Sequence, residues 1–190
     1  MFSFDPQSYG PVFAPLLGGD RLNELGPGRP RGAAADLEAA LGRADLFPAP
    51  VLSRPLANCC RAAVWLLHDH FDCSHALSQE IDQQAGSYWH GILHRREPDF
   101  SNAKYWFRHV GRHPVFEPLQ RAACDLAAST PHDRAADYLL TQPSWDPFRF
   151  IDLCEAALTG KSTSGELCKH IQRLEWELLF DDCFRGALGK

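Results

Sequence analysis

An all-α fold, a single-domain helical bundle of about seven or eight helices with an irregular N-terminal arm, is what this 190-residue sequence predicts. Three observations predict it. Apolar residues recur at helical spacing in one segment after another, Gly and Pro fall between those segments more than within them, and strand-like alternation is weak throughout. A hydrophobic content of 45% over this length is enough for one sizeable core, and neither a repeat nor a linker divides the chain.

Residues 1–31 are rich in Gly, Pro and isolated aromatics, which predicts an arm that lays Phe2, Phe4, Tyr9 and Phe13 onto a helical body spanning 33–190. Residues 33–46 place Leu37, Ala40 and Leu41 at helical spacing, before a connection carrying Pro48, Pro50 and Pro55. Residues 56–82 read as one long helix, because no Gly or Pro appears until Gly86. Gly86-Ser87 reads as the turn and cap that start a second helix over 88–97, which Pro98 ends. A third runs from about 101 to Gly111, with Pro114 beyond. Further helices are expected over 116–129, 134–140, 147–158 and 165–184.

Composition narrows the function classes. A formal charge of -5 and a pI near 6.0 give no overall basic field, so nucleic acid and anionic membranes are not expected partners. The opening residues lack a basic start and an unbroken apolar run, and no later segment approaches the ~20 apolar residues a bilayer-spanning helix needs, so a soluble, cytoplasmic protein is expected. Seven scattered cysteines without a CxxC pair read as reduced thiols, several of them core residues. GxGxxG, GxxxxGK[ST] and GxSxG are all absent, which removes the support for nucleotide-binding and serine-hydrolase readings.

The histidines carry the strongest functional signal. Seven of nine, namely His68, His70, His75, His90, His94, His109 and His113, fall within one quarter of the chain. On the expected 56–82 helix, Val64, His68, Phe71 and His75 share an apolar stripe, which predicts that His68 and His75 point inward. On the next helix His90, His94 and Glu97 stand at i, i+4 and i+7, so two imidazoles and a carboxylate share one face. Histidines one turn apart are spaced to hold one divalent metal, with Glu97 as a further ligand, an orienting partner or a general base. The third helix puts Asn102, Tyr105, His109 and Arg112 on one face, and Arg95, Arg96, Lys104, Arg108 and Arg112 concentrate positive charge nearby. Structural histidines and surface ion pairs are the bland alternatives for the same residues.

The run GSYWHGILHRREPDFSNAKYWFRHVGRHP, from Gly86 to Pro114, resembles an uncharacterised family of bacterial and fungal proteins. The resemblance covers less than a sixth of the chain and implies that this segment is one unit; it implies no reaction. His68-Asp69, in WLLHDH, also resembles the central pair of metal-dependent HD-domain phosphohydrolases, but no histidine precedes His68 to supply that family's upstream ligand.

These readings predict a small helical metalloprotein acting on a small anionic substrate. His68, His75, His90 and His94 are its candidate ligands for one divalent ion (zinc, iron or nickel). Glu97 is the expected base, with Arg95 and Arg96 orienting the substrate, and Tyr88, Tyr105, His109 and Arg112 line the binding site. The alternative is a non-catalytic protein that binds a small anion or a protein partner through the same residues.

Overall fold

A computed structural model describes residues 2–19 and 22–190 and contains no strand among them. Nine α-helices follow in order: α1 (Phe13–Leu17), α2 (Ala34–Leu41), α3 (Arg54–Leu67), α4 (Phe71–Ser78), α5 (Gln84–Arg96), α6 (Phe100–Val110), α7 (Phe116–Ala128), α8 (Pro147–Leu158) and α9 (Gly165–Ala187). Two 3₁₀ segments, Pro6–Tyr9 and Arg134–Leu140, complete the helical elements. None of the helices is long and apolar enough to cross a membrane.

The core forms where α3, α5 and α9 meet. Cys59, Ala63, Val64, Trp89, Ile92, Leu179 and Phe180 are all essentially inaccessible there. Trp176 on α9 donates its indole N–H to the Ala63 carbonyl at 3.0 Å, so a large apolar ring enters the core without an orphaned donor. The N-terminal arm packs on α9 as expected. Phe4 and Tyr9 meet Phe180 edge-on, Phe13 meets Phe184, and the Tyr9 hydroxyl donates to Asp181 at 3.0 Å. Phe2 departs from that expectation, since it is 38% exposed.

The expected long helix over 56–82 is corrected to two, α3 and α4, broken at His68–His70. Asp69 adopts φ +62, a conformation Asp tolerates better than most residues, and its buried carboxylate anchors the break. Arg96 Nη2 donates to Asp69 Oδ1 at 2.6 Å and Asn23 Nδ2 donates to the same oxygen at 2.8 Å. The partners that stabilise this turn therefore come from distant parts of the chain, and no local Gly or Pro marks it.

Gly86 does not end a helix; it lies in the first turn of α5, whose N-cap is Gln83. It is glycine because of close packing, since a Cβ there would sit 2.3 Å from the Ile81 carbonyl oxygen. Gly91, further along α5, lets α6 approach so closely that a Cβ would lie 2.8 Å from the Phe107 ring. The remaining boundaries lie close to those expected. Asp99 caps α6 by accepting from Asn102 N at 3.2 Å, Gly111 ends α6 at φ +60, and Asp146 caps α8 just before Pro147. The 134–140 segment is 3₁₀ rather than α.

Candidate metal centre

Two helices bring three imidazoles together. The break at Asp69 turns α4 so that His75 meets His90 and His94, one turn apart on α5. His75 Nε2 lies 3.0 Å from His90 Nε2, and the His90 and His94 rings stack with centroids 4.7 Å apart. One nitrogen from each of the three rings lies within 4.8 Å of the others. His75 is half-buried and the other two are buried, so the cluster lies at the edge of the core.

Each ring is held differently. Glu97 Oε2 lies 2.9 Å from His94 Nδ1 and accepts a hydrogen bond from it, which leaves His94 Nε2 with its lone pair. His90 stacks on the Trp106 indole of α6 at a centroid distance of 4.0 Å and an interplanar angle of 13°. The buried Nδ1 of His90 has no hydrogen-bond partner among the described residues, so stacking on Trp106 and the Nε2 contact with His75 orient this ring. The amide nitrogen of Asn102, also on α6, stands 3.1 Å from His94 Nε2 and 3.4 Å from its Nδ1.

The electrostatics favour the neutral forms of His90 and His94. Burial pushes the His90 pKa down to about 3, with the neighbouring His94 and His75 adding to the shift. His94 is lowered by burial as well, against the opposing pull of the Glu97 and Asp99 carboxylates. Neutral imidazole is the form that binds metal. The 3.0 Å contact between His75 and His90 requires one Nε2 to carry a proton and the other a lone pair; a divalent cation placed between them would replace that proton.

The donor set fits a first-row divalent ion. Imidazole nitrogens bind zinc at about 2.0–2.1 Å, which puts neighbouring tetrahedral ligands roughly 3.3 Å apart. The 3.0 Å His75–His90 spacing is close to that figure, and a span within 4.8 Å closes by side-chain rotation of about an ångström.

The other candidate residues lie elsewhere. His68 caps the end of α3, and its Nε2 meets the Leu16 carbonyl at 2.9 Å, outside the three-histidine cluster. Arg95 and Arg96, expected to orient substrate, are corrected to core residues, 0% and 2% exposed. Arg95 donates to Glu175, which also accepts from the Tyr88 hydroxyl at 3.1 Å, and its guanidinium lies 4.7 Å from the Phe150 ring. Burial works against the Arg95 charge, but Glu175, together with Cys154 and Tyr88, outweighs it and raises the pKa. Arg96 is spent on Asp69 and on the Leu66 carbonyl, the latter at 2.9 Å. Tyr88, expected in the ligand pocket, is fully buried with this ion pair.

Tyr105 and His109 are exposed and contact each other on the outer side of α6. Arg112 lies on a groove of about 900 Å³ between the end of α6, α7 and the start of α8. All seven cysteines are free thiols; burial together with Asp72 and Glu38 raises the Cys73 pKa, which works against a nucleophilic thiolate beside His75.

Two members of the site escaped the sequence reading. Trp106 has nothing in its spacing to single it out, and Asn102 shares a face with Tyr105, His109 and Arg112 without a role; neither carries a signal without knowledge of how α5 and α6 cross. No protein-family model, curated protein or solved structure matches the chain, so the functional reading rests on this geometry.

Proposed function

We propose that this protein binds one divalent metal ion through His75, His90 and His94, and that the ion is the working part of its site. The observation that carries the reading is the convergence of three imidazoles from two helices within 4.8 Å, one of them backed by a carboxylate. Glu97 then acts as the partner that orients His94 and raises its basicity. The positive charge expected from Arg95 and Arg96 is supplied by the ion itself, which polarises a bound water or a small anionic substrate and lowers the pKa of that water. Zinc, iron and nickel all suit imidazole donors.

Elemental analysis of untagged protein, beside a folded His90→Ala, His94→Ala variant, tests this. The expected result is close to one metal per chain in the parent after reconstitution and almost none in the variant. Equal and negligible metal in both would overturn the proposal.

A second reading, non-catalytic binding of a small anion, draws on the groove at Arg112. Its acids are engaged, Glu117 with Arg121 and Asp146 with the first N–H groups of α8, so Arg108 and Arg112 are the cations it offers a ligand. That reading predicts anion binding that survives loss of His90 and His94 but not charge reversal at Arg112.

A further inference from the structure

We infer that the groove at the end of α6 binds a planar aromatic carboxylate, with the ring against its apolar wall and the carboxylate paired with Arg108 and Arg112; this deepens the second reading above and rests on it.

The walls of the groove are held by hydrogen bonds that no ligand has to supply. Gln120 on α7 donates from Nε2 to the Gln142 carbonyl at 3.2 Å, and Gln142 Oε1 accepts from Asp146 N at 3.2 Å. The 142–146 loop is thereby pinned between α7 and α8, and the groove opens between it and the end of α6. Its volume of about 900 Å³ is that of a cleft which takes a small organic molecule.

The lining divides into two chemistries. Phe116, Pro143, Trp145, Pro147 and Phe148 supply apolar surface, and Phe116 and Phe148 are only half-buried. A bare inorganic anion would cover none of that surface, so the apolar wall calls for a carbon skeleton, and a flat ring is the shape that packs on other rings. The positive charge comes from Arg108 and Arg112, both exposed, whose guanidinium groups meet no acid and no carbonyl among the described residues. Two acids also line the groove, but Glu117 is paired with Arg121, and Asp146 accepts from the first N–H groups of α8. That helix start is therefore closed to an anion, and recognition of one falls to the arginines. Guanidinium suits a carboxylate particularly well, since it binds both oxygens and also stacks on ring faces.

One donor of the groove is left over. Trp145 is 4% exposed, and its indole N–H has no acceptor among the described residues. Buried donors without an acceptor are rare in folded proteins. An oxygen of a ligand seated against this ring would be the missing acceptor.

Naphthoate, titrated into isotope-labelled protein and followed by NMR at the tryptophan indole N–H signals, tests the inference; Trp145→Phe identifies the Trp145 signal. Naphthalenemethanol, which has the ring without the charge, and acetate, which has the charge without the ring, are the controls. Naphthoate should shift the Trp145 signal saturably and bind roughly tenfold or more tightly than either control. Arg108→Glu and Arg112→Glu, each shown by circular dichroism to be folded, should weaken naphthoate roughly tenfold or more and leave naphthalenemethanol unchanged. Acetate binding as tightly as naphthoate, and lost on charge reversal, would overturn the aromatic assignment and leave the small-anion reading standing. Naphthalenemethanol binding as tightly as naphthoate, or naphthoate binding unchanged in both charge-reversal variants, would overturn that reading and this inference together. So would the absence of any Trp145 response to all three compounds.

Discussion

The two sides of α5 treat ionisable residues in opposite ways. One side carries Tyr88, Arg95 and Arg96 into the core, where each side chain meets a carboxylate, Glu175 for Tyr88 and Arg95 and Asp69 for Arg96, although only Nη2 of Arg95 is hydrogen-bonded. The other side carries His90 and His94, whose imidazoles are neutral, stacked, and in contact with one another, with His75, with Trp106 and Asn102, and at His94 Nδ1 with Glu97. Buried charges paired with a carboxylate are spent on holding helices together. Buried imidazoles with lone pairs in hand are available for a ligand. Sequence proximity would have put Arg95 and Arg96 in the site beside His94; helical geometry sends them the other way.

The sharpest way to break this contrast is to remove a core partner. Glu175→Ala strands the Arg95 guanidinium at 0% exposure and should cost about 3–5 kcal/mol in a denaturant melt, with metal affinity of the folded fraction little changed. Loss of metal binding at unchanged stability would mean that the two sides are not separate in function.

A smaller effect concerns pH. His113 lies on the Tyr88 side of α5, and its Nδ1 accepts from Val115 N at 3.3 Å, so the folded state holds it neutral. Burial lowers its pKa below the ordinary 6.5, against the pull of Asp182. The unfolded chain therefore binds more protons below that value, and the stabilising contribution is complete above pH 6.5 and lost as pH falls toward the folded pKa. Each such imidazole contributes a slope of at most ~1.4 kcal/mol per pH unit. His113→Asn, which keeps an acceptor for Val115 N, should flatten the acid limb of stability against pH; an unchanged limb would remove His113 from this account.

The smallest expected effect sharpens the histidine side. Trp106→Leu removes the ring that orients His90, and aromatic pairs of this kind contribute about 0.5–1.5 kcal/mol, so metal affinity should fall roughly two- to tenfold. In the parent, nickel or copper should quench the Trp106 share of the fluorescence, and the variant should lose that share of the response.

Much of the fold was legible because it is written locally. Pro98, Gly111 and Pro147 mark helix ends, and the i, i+4, i+7 spacing of His90, His94 and Glu97 requires no tertiary knowledge. The break at Asp69 was not legible, since its cause is Arg96 and Asn23 converging from 27 and 46 residues away. The same holds for Arg95: adjacent arginines resemble a solvated basic patch until a carboxylate 80 residues later is found beside one of them. His75 was assigned to the cluster on a helix that does not exist as drawn, and reaches it because that helix is cut short.

Gly91 sets a tolerance for the whole cluster. The gap between α5 and α6 is as narrow as a missing methyl group allows, with Phe107 occupying the space. Asn102 and Trp106 ride on one wall of that gap, His90 and His94 on the other. Any side chain added at residue 91 would act as a shim, spreading the walls without touching a donor atom. The span of the donor set is thus governed by an atom the chain leaves out.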